Sequence, residues 1–270
     1  MSITVSIITA THNSASTLSE CIKSVTSQSI PVEHIFIDCG STDSTLDIIK
    51  QESPNSIVIS EQDQGIYDAL NKGIKIATGE VVGILHADDF YAGPDALKKV
   101  AEVFEDPRVS ACYGDLIYVA DDSEEKEAGN KEGEKLKVVR YWKSGEYDPK
   151  KFYWGWMPPH PTFFVRREVY EKYGLFNLDL GTAADYGLML RFLLKHKISC
   201  AYIPEVLVKM RVGGASNISL ANRIKANRMD RKAWKVIGLL PNPWTLWLKP
   251  ARKIHQWFLP GARYNSAIGR

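Results

Sequence analysis

The chain has 270 residues, 44% hydrophobic and 24% charged, which is enough to bury a sizeable core and too apolar for a disordered polymer. No run reaches the ~18 apolar residues of a membrane span, and the opening MSITVSIITATHNS lacks the basic stretch and cleavage site of a secretory leader, which predicts a cytoplasmic chain. The net charge of +2 conceals a split: residues 221–270 carry eleven Lys and Arg against one acid, Asp230, whereas residues 1–220 carry 23 bases and 31 acids.

In chain order, residues 2–11 (SITVSIITAT) read as a strand, Asn13-Ser14 opens a loop, and Leu18, Ile22 and Val25 mark a helix. The unit repeats: strand 34–38, turn at Gly40-Ser41, helix 41–50, short strand 57–59, helix 66–77, strand 81–85. Alternation at this spacing predicts a parallel sheet covered on both faces, with ligands beyond the carboxyl ends of its strands. Pro94-Asp95 starts a helix over 96–104, and 109–119 is a long strand. The charged run 121–135 reads as a solvated loop or lid, and 136–142 returns as a strand. Residues 152–161, dense in aromatics and prolines and including Trp156 and His160, form a rigid wall. Then come strand 162–165, helices 168–173 and 183–195, strands 198–203 and 207–212, and a basic tail with helices over 221–240 and within 243–258. The four cysteines, Cys21, Cys39, Cys112 and Cys200, are scattered without a C-x-x-C pair and fit reduced thiols.

Polar groups gather at the strand ends: Thr9, Thr11, His12 and Asn13; then Asp38, Gly40, Ser41 and Asp43; then His86, Asp88 and Asp89. Asn, Ser and Asp also cap helices, so for Asn13, Ser41 and Asp43 capping and ligand binding remain equal alternatives. Asp88-Asp89 is different, because Asp95 is better placed to begin the next helix. Two adjacent carboxylates repel unless a cation lies beside them, and Mg²⁺ or Mn²⁺ favours such oxygen ligands and bridges phosphates.

The segments VSIITATHN, IFIDCGSTDST and QGIYDALNKGIKIATGEVVGILHADD, in that order, resemble a family 2 glycosyltransferase. The resemblance runs from residue 3 to about 215 and implies the GT-A fold, a Rossmann-like, mostly parallel sheet with helices on both faces. Here it comprises a nucleotide-binding half (1–115) and an acceptor half (116–220), followed by a basic aromatic helical extension (221–270). It implies an inverting enzyme that takes a sugar from a nucleotide diphosphate sugar, such as a UDP-sugar. Asp38 then contacts the base beside the Thr9–Asn13 loop and Ser41, Asp88 coordinates the metal, and Asp89 assists it or orients the sugar. Relatives read D-x-D-D where this chain has His86-Ala87-Asp88-Asp89, so His86 faces the ribose or phosphate or fills space.

Asp68, Asn71 and Lys72 share one helical face beside the nucleotide, with Asp68 and Lys72 as donor-binding candidates and a solvated face as the alternative. An inverting mechanism needs a base opposite the leaving diphosphate. Asp185, in a segment similar to the family's E-D-x-x-L-x-x-R with Ala184 replacing the glutamate, is the candidate. A charge at a helix N-terminus is its plainer reading. His160 and Trp156 are assigned to the acceptor, and Arg211, in KMRVGGAS, to the diphosphate.

The tail places basic residues beside Trp234, Trp244, Trp247 and Trp257, a composition suited to the anionic face of the inner membrane. A dimer interface and a helix packed back on the body remain alternatives. A glycan or lipid-linked glycan acceptor in bacterial surface-polysaccharide assembly is what the resemblance implies. A non-catalytic sugar-nucleotide or glycan-binding protein of the same fold is the competing reading, disfavoured by the joint presence of Asp88, Asp89 and Asp185. A nucleotidyltransferase would want glycine and lysine in the first loop, which has neither, and the acidic body argues against nucleic acid as a partner.

Overall fold

The computed structural model describes residues 3–121, 136–212 and 220–254. Val5–Thr11 forms β1, Val32–Asp38 β2, Ile57–Ser60 β3 and Val81–Ile84 β4, with α1 (Leu18–Thr26), α2 (Thr45–Glu52) and α3 (Ile66–Ile76) between them. These strands stand in the order β3-β2-β1-β4 and are all parallel. Their residues divide by the two-residue period of a strand. Ile7, Phe36 and Val81 join Leu18, Ile22 and Val25 of α1 in one layer, while Ile8, Ile35, Ile37 and Val82 join Leu70 and Ile74 of α3 in the other. Burial on both faces is what makes these strands near-continuous apolar runs.

Beyond β4 the sheet is mixed. Phe164–Arg166 (β8) lies antiparallel between β4 and the long strand Ala111–Asp121 (β6). Gly83 of β4 makes room for it: a Cβ there would sit 2.4 Å from the Phe164 ring. Leu136–Trp142 (β7) pairs antiparallel with β6, and Cys200–Arg211 (β9) runs parallel to β6 on its other side. The remaining helices of the body are α4 (Ala96–Phe104), α5 (Arg167–Tyr173) and α6 (Ala184–Met189), which continues into a π-helical turn at Leu190–Lys195.

Two sequence expectations change. The strands expected over 198–203 and 207–212 are one strand, β9, because residues 203–205 bulge opposite Gly114 of β6; the bulge accommodates Pro204, which has no N–H for the ladder. Asp89–Tyr91 forms a short strand, β5, antiparallel to β9 with Asp89 opposite Met210. Three residues are too few to show a period. Apart from Asp121 at the end of β6, the charged run 121–135 lies outside the described residues.

The C-terminal segment forms α7 (Leu220–Ile237) and α8 (Thr245–Ile254). Ala233, Trp234, Ile237 and Leu246 belong to the same buried cluster as α3 and α6. The Trp234 indole N–H donates to the Tyr186 hydroxyl at 3.0 Å, and the Thr245 hydroxyl donates to the Tyr153 carbonyl at 2.6 Å. At Gly155, whose φ is 75°, a Cβ would stand 2.5 Å from the Lys249 backbone nitrogen, so α8 sits directly on the 149–155 turn. Among the described residues of the tail, then, packing back on the body is the arrangement found.

Candidate active site

The β1–β2 register places Thr11 opposite Asp38, and the Thr11 hydroxyl donates to the carboxylate at 2.9 Å. The Ser41 backbone N–H at 2.9 Å, the Ser41 hydroxyl and the Ser60 hydroxyl at 2.7 Å also donate to it. A carboxylate has about four acceptor positions, so Asp38, fully buried, is saturated. Burial pushes its pKa up, but the bonds from Ser41, Ser60 and Thr11 outweigh burial and hold it below the ordinary carboxylate value. Asn13 takes a φ of 49°, a region in which Asn is enriched. From there its side-chain oxygen accepts from the Thr42 N–H at 2.9 Å, and its own N–H donates to the Ser41 hydroxyl at 2.9 Å. Asp43 accepts from the Thr45 amide at 3.0 Å at the entry to α2 and from the Ala15 amide of the first loop at 3.2 Å, while the N-cap position itself is Ser44. Thr9 faces the interior, 3.0 Å from His34 Nε2. Of the expected donor residues here, Asn13 and Ser41 reach the surface, whereas Thr9 and Thr11 are buried.

A second group assembles where β4, α3, the 160–162 turn and the start of α6 meet. The His86 and His160 rings lie 6.0 Å apart. Asp185, half-buried at the first turn of α6, acts electrostatically on both imidazoles and on the Tyr67 phenol of α3. Asp88 also acts electrostatically on His86. Burial lowers the pKa of both histidines, His160 to about 4, although the nearby carboxylates pull the other way. Both imidazoles are therefore neutral near pH 7. Tyr67 has its pKa raised, by burial first and the Asp185 charge second, so it stays a donor. Phe176 packs on both Tyr67 and His160, with ring centroids at 5.3 and 5.7 Å. Asn71 fixes Phe176 by a reciprocal pair of 2.9 Å bonds with its backbone. Sequence reasoning missed Tyr67 and placed Asn71 on a shared face with Asp68 and Lys72. Tyr67 precedes Asp68 inside a quoted motif, but only the approach of α3 to α6 gives it a partner.

Other expected residues take different positions. Asp68 accepts from the Gln64 N–H at 3.1 Å, at the start of α3. Lys72 is ion-paired with Glu61 at 2.7 Å and Asp68 at 3.6 Å. Arg211 is ion-paired with Glu20 of α1, and the rest of its expected loop, residues 213–216, lies outside the described residues. Trp156, assigned to the acceptor wall, is instead a core residue: it packs on Tyr113 and Phe152, and its indole N–H donates to the Ser144 carbonyl at 2.9 Å. An indole in a wall of aromatics finds its lowest energy buried with its one donor satisfied.

Asp89, drawn into β5, is fully buried. Neither of its carboxylate oxygens meets a well-aligned donor; only the Arg211 backbone N–H across the β5–β9 pair favours its ionised form. Burial first, and the Asp88 charge second, push its pKa well up. Among the described residues no group of three or more potential ligands converges; Asp88, half-buried, is the accessible carboxylate of the pair. That oxygen donor fits Mg²⁺ or Mn²⁺, which keep water and take substrate phosphates as further ligands, and it does not fit a closed zinc site.

Polar loops at the carboxyl ends of a parallel half-sheet, with a carboxylate–imidazole cluster nearby, mark the region where open α/β sheets bind ligands. The family model of "Glycosyl transferase family 2" matches residues 6–174, and the chain belongs to that family. A PGL/p-HBAD biosynthesis glycosyltransferase of Mycobacterium bovis is 30% identical over 219 residues, which is 78% of each chain. The Mycobacterium tuberculosis protein of the same description matches equally. Among solved structures, S. aureus TarS residues 1–349 in complex with UDP superposes with a TM-score of 0.63 at 17% identity, over 99% of this chain and 75% of that one. This chain spans 44% of the longer TarS structure. The mannosyltransferase PcManGT of Pyrobaculum calidifontis, in complex with GDP-Man and Mn²⁺, gives a TM-score of 0.61 at 20% identity, over 100% and 80%. At these identities the solved structures establish the GT-A-type fold.

Proposed function

We propose that this glycosyltransferase moves a sugar from a nucleotide diphosphate sugar to an acceptor hydroxyl with inversion at the anomeric carbon, assisted by Mg²⁺ or Mn²⁺. The observation that carries the reading is the convergence of Asp88, His86, His160 and Asp185, from three separated parts of the chain, on one cluster. Residues 1–115 hold the donor: Asn13, Ser41 and Asp38 receive the nucleoside, with Asp38 exchanging one of its hydroxyl donors for the base. Asp68 sits beside the nucleotide, and Lys72 orders the Glu61–Asp68 edge next to it. Asp88, with Asp89 next to it, would hold the cation. When bound, a divalent cation neutralises the charge that gathers on the departing diphosphate. Asp185 accepts the proton of the attacking hydroxyl, and the Tyr67 O–H fixes the carboxylate that does so. His160, kept neutral, offers the acceptor a hydrogen bond without adding charge, and His86 does the same for the donor.

The acceptor half comprises residues 116–220, and a glycan or lipid-linked glycan is the proposed acceptor, in assembly of bacterial surface polysaccharide. The mycobacterial relatives are named for PGL/p-HBAD biosynthesis, and the neighbours bound to UDP-GlcNAc or GDP-Man support the nucleotide diphosphate sugar donor. The test is release of nucleoside diphosphate from a panel of UDP- and GDP-sugars with Mg²⁺, Mn²⁺ or EDTA. Asp185→Asn is expected to lower kcat about 10²- to 10⁴-fold. Asp88→Ala is expected to abolish the response to metal. Turnover at the parent rate in Asp185→Asn would remove the base assignment, and a retained anomeric configuration in the product would remove inversion.

A further inference from the structure

The described residues carry an apolar surface that folding does not account for. Trp154, Trp244 and Trp247 are 51%, 46% and 71% exposed, whereas Trp234 of the same C-terminal segment is fully buried. The Trp154 and Trp244 rings stand 6.0 Å apart, and Trp247 follows one helical turn along, its N–H donating to the Trp244 carbonyl at 3.0 Å. The face is composite, with Trp154 from the 149–154 turn and the other two from the start of α8. It is also held rigidly. The Asp148 side chain caps the turn at Lys150 N, the Thr245 hydroxyl ties it to α8, and the backbones meet at Gly155 and Lys249. A preformed trio of exposed indoles is costly in water and suits a boundary where one end of each ring is wet and the other apolar.

We infer that the Trp154–Trp244–Trp247 face docks this protein on an anionic lipid bilayer. Charge selects the partner. Residues 221–270 carry eleven basic residues against one acid, while the remainder has an excess of acids. Arg228, Arg231, Lys232 and Lys235 of α7 are exposed. Anionic headgroups attract such a segment while indoles enter the interface, and both contributions add. A second copy meeting the same face about a two-fold axis would instead bring two strongly basic segments together. No described helix is long and apolar enough to cross a membrane, so the mode is surface attachment. The inference rests on the proposed lipid-linked acceptor only for what docking achieves; the surface itself is independent of the chemistry.

The test is flotation of the full chain with phosphatidylcholine vesicles, with and without phosphatidylglycerol, at low and high salt. The parent is expected to float with phosphatidylglycerol vesicles, less so at high salt, and to stay behind with phosphatidylcholine alone. Trp154→Ser/Trp244→Ser/Trp247→Ser is expected to reduce the bound fraction about tenfold, and Trp247→Ser alone, at the most exposed position, several-fold. Nucleoside diphosphate release without vesicles should be unchanged in both. Failure of the parent to float, equal flotation of the variants, or a variant that converts a soluble dimer to a monomer would each overturn the inference. Absence of turnover in the parent would strike the transferase reading and leave the flotation result standing.

Discussion

At the scale of single residues, the site pairs each charge with a neutral partner whose protonation is set by burial. Tyr67 is the clearest case. Burial first and the Asp185 charge second raise its pKa, so the phenol stays protonated throughout the working range and can serve that carboxylate as a donor. Tyr67→Phe removes that donor and leaves the Phe176 contact intact. The expected outcome is a fall in kcat of about tenfold or less, consistent with one hydrogen bond to a charged group, with the donor KM unchanged. Steady-state kinetics with the donor varied separates this from a folding defect, which would lower active-enzyme concentration without changing the pH profile of kcat. Asp88 stands out in the sequence because two adjacent acids at a strand end repel without a cation, whereas Asp185 is singled out only by the family resemblance, since an acid at a helix start is ordinary. Tyr67 does not stand out, because a tyrosine on an amphipathic helix looks like core until its partner is known.

At the scale of elements, the helical extension does more than follow the body. Trp234 of α7 fills the cluster under α6 and bonds the hydroxyl of Tyr186, the residue next to Asp185. Lys249 of α8, ion-paired with Asp230 at 2.8 Å, lies 3.7 Å over the Tyr186 ring. Trp234→Ala deletes a fully buried indole and leaves the Tyr186 hydroxyl without its donor. It is expected to cost about 3–5 kcal/mol, read as a lowered urea midpoint at unchanged slope. A midpoint within experimental error of the parent would mean that α7 is not part of the cooperative unit. The sequence indicates these helices by their spacing and favours a membrane surface for them, with a partner or the body as alternatives, because a basic aromatic segment suits all three. Strand β5 shows the opposite limit: three residues carry no period, and pairing with β9 alone brings Asp89 into the sheet.

At the scale of the whole molecule, buried histidines couple stability to pH. His34 sits inside the sheet against Phe36 with its Nε2 at Thr9, and burial lowers its pKa to about 3; His160 falls to about 4 for the same first reason. Both folded values lie below the ordinary value of about 6.5. As pH falls below that value the unfolded chain takes up protons that the folded chain refuses, so this contribution is fully present above pH 6.5 and is lost on the way to pH 4. Each group accounts for about 3 kcal/mol at most over that window. Urea midpoints measured from pH 7 to pH 4.5 should fall for the parent and fall less steeply for His34→Gln. A parallel slope in the variant would show that His34 is accessible to protons in the folded state.

The sequence by itself determined the alternation of strand and helix, the parallel half-sheet and the strand ends at which polar residues collect, because burial on two faces and period-two side chains are local properties written into residue order. It also singled out Asp88 and Asp185 as the acids proposed for a cation and a base. Only the tertiary structure decided which of these groups meet. It turned Trp156 and Thr9 inward, saturated Asp38 with hydroxyls from three different segments, drew Asp89 out of water, and set Tyr67 against Asp185. The physical reason is that hydrogen-bond saturation and desolvation depend on partners tens of residues away along the chain, and those distances close only when the sheet and its helices pack.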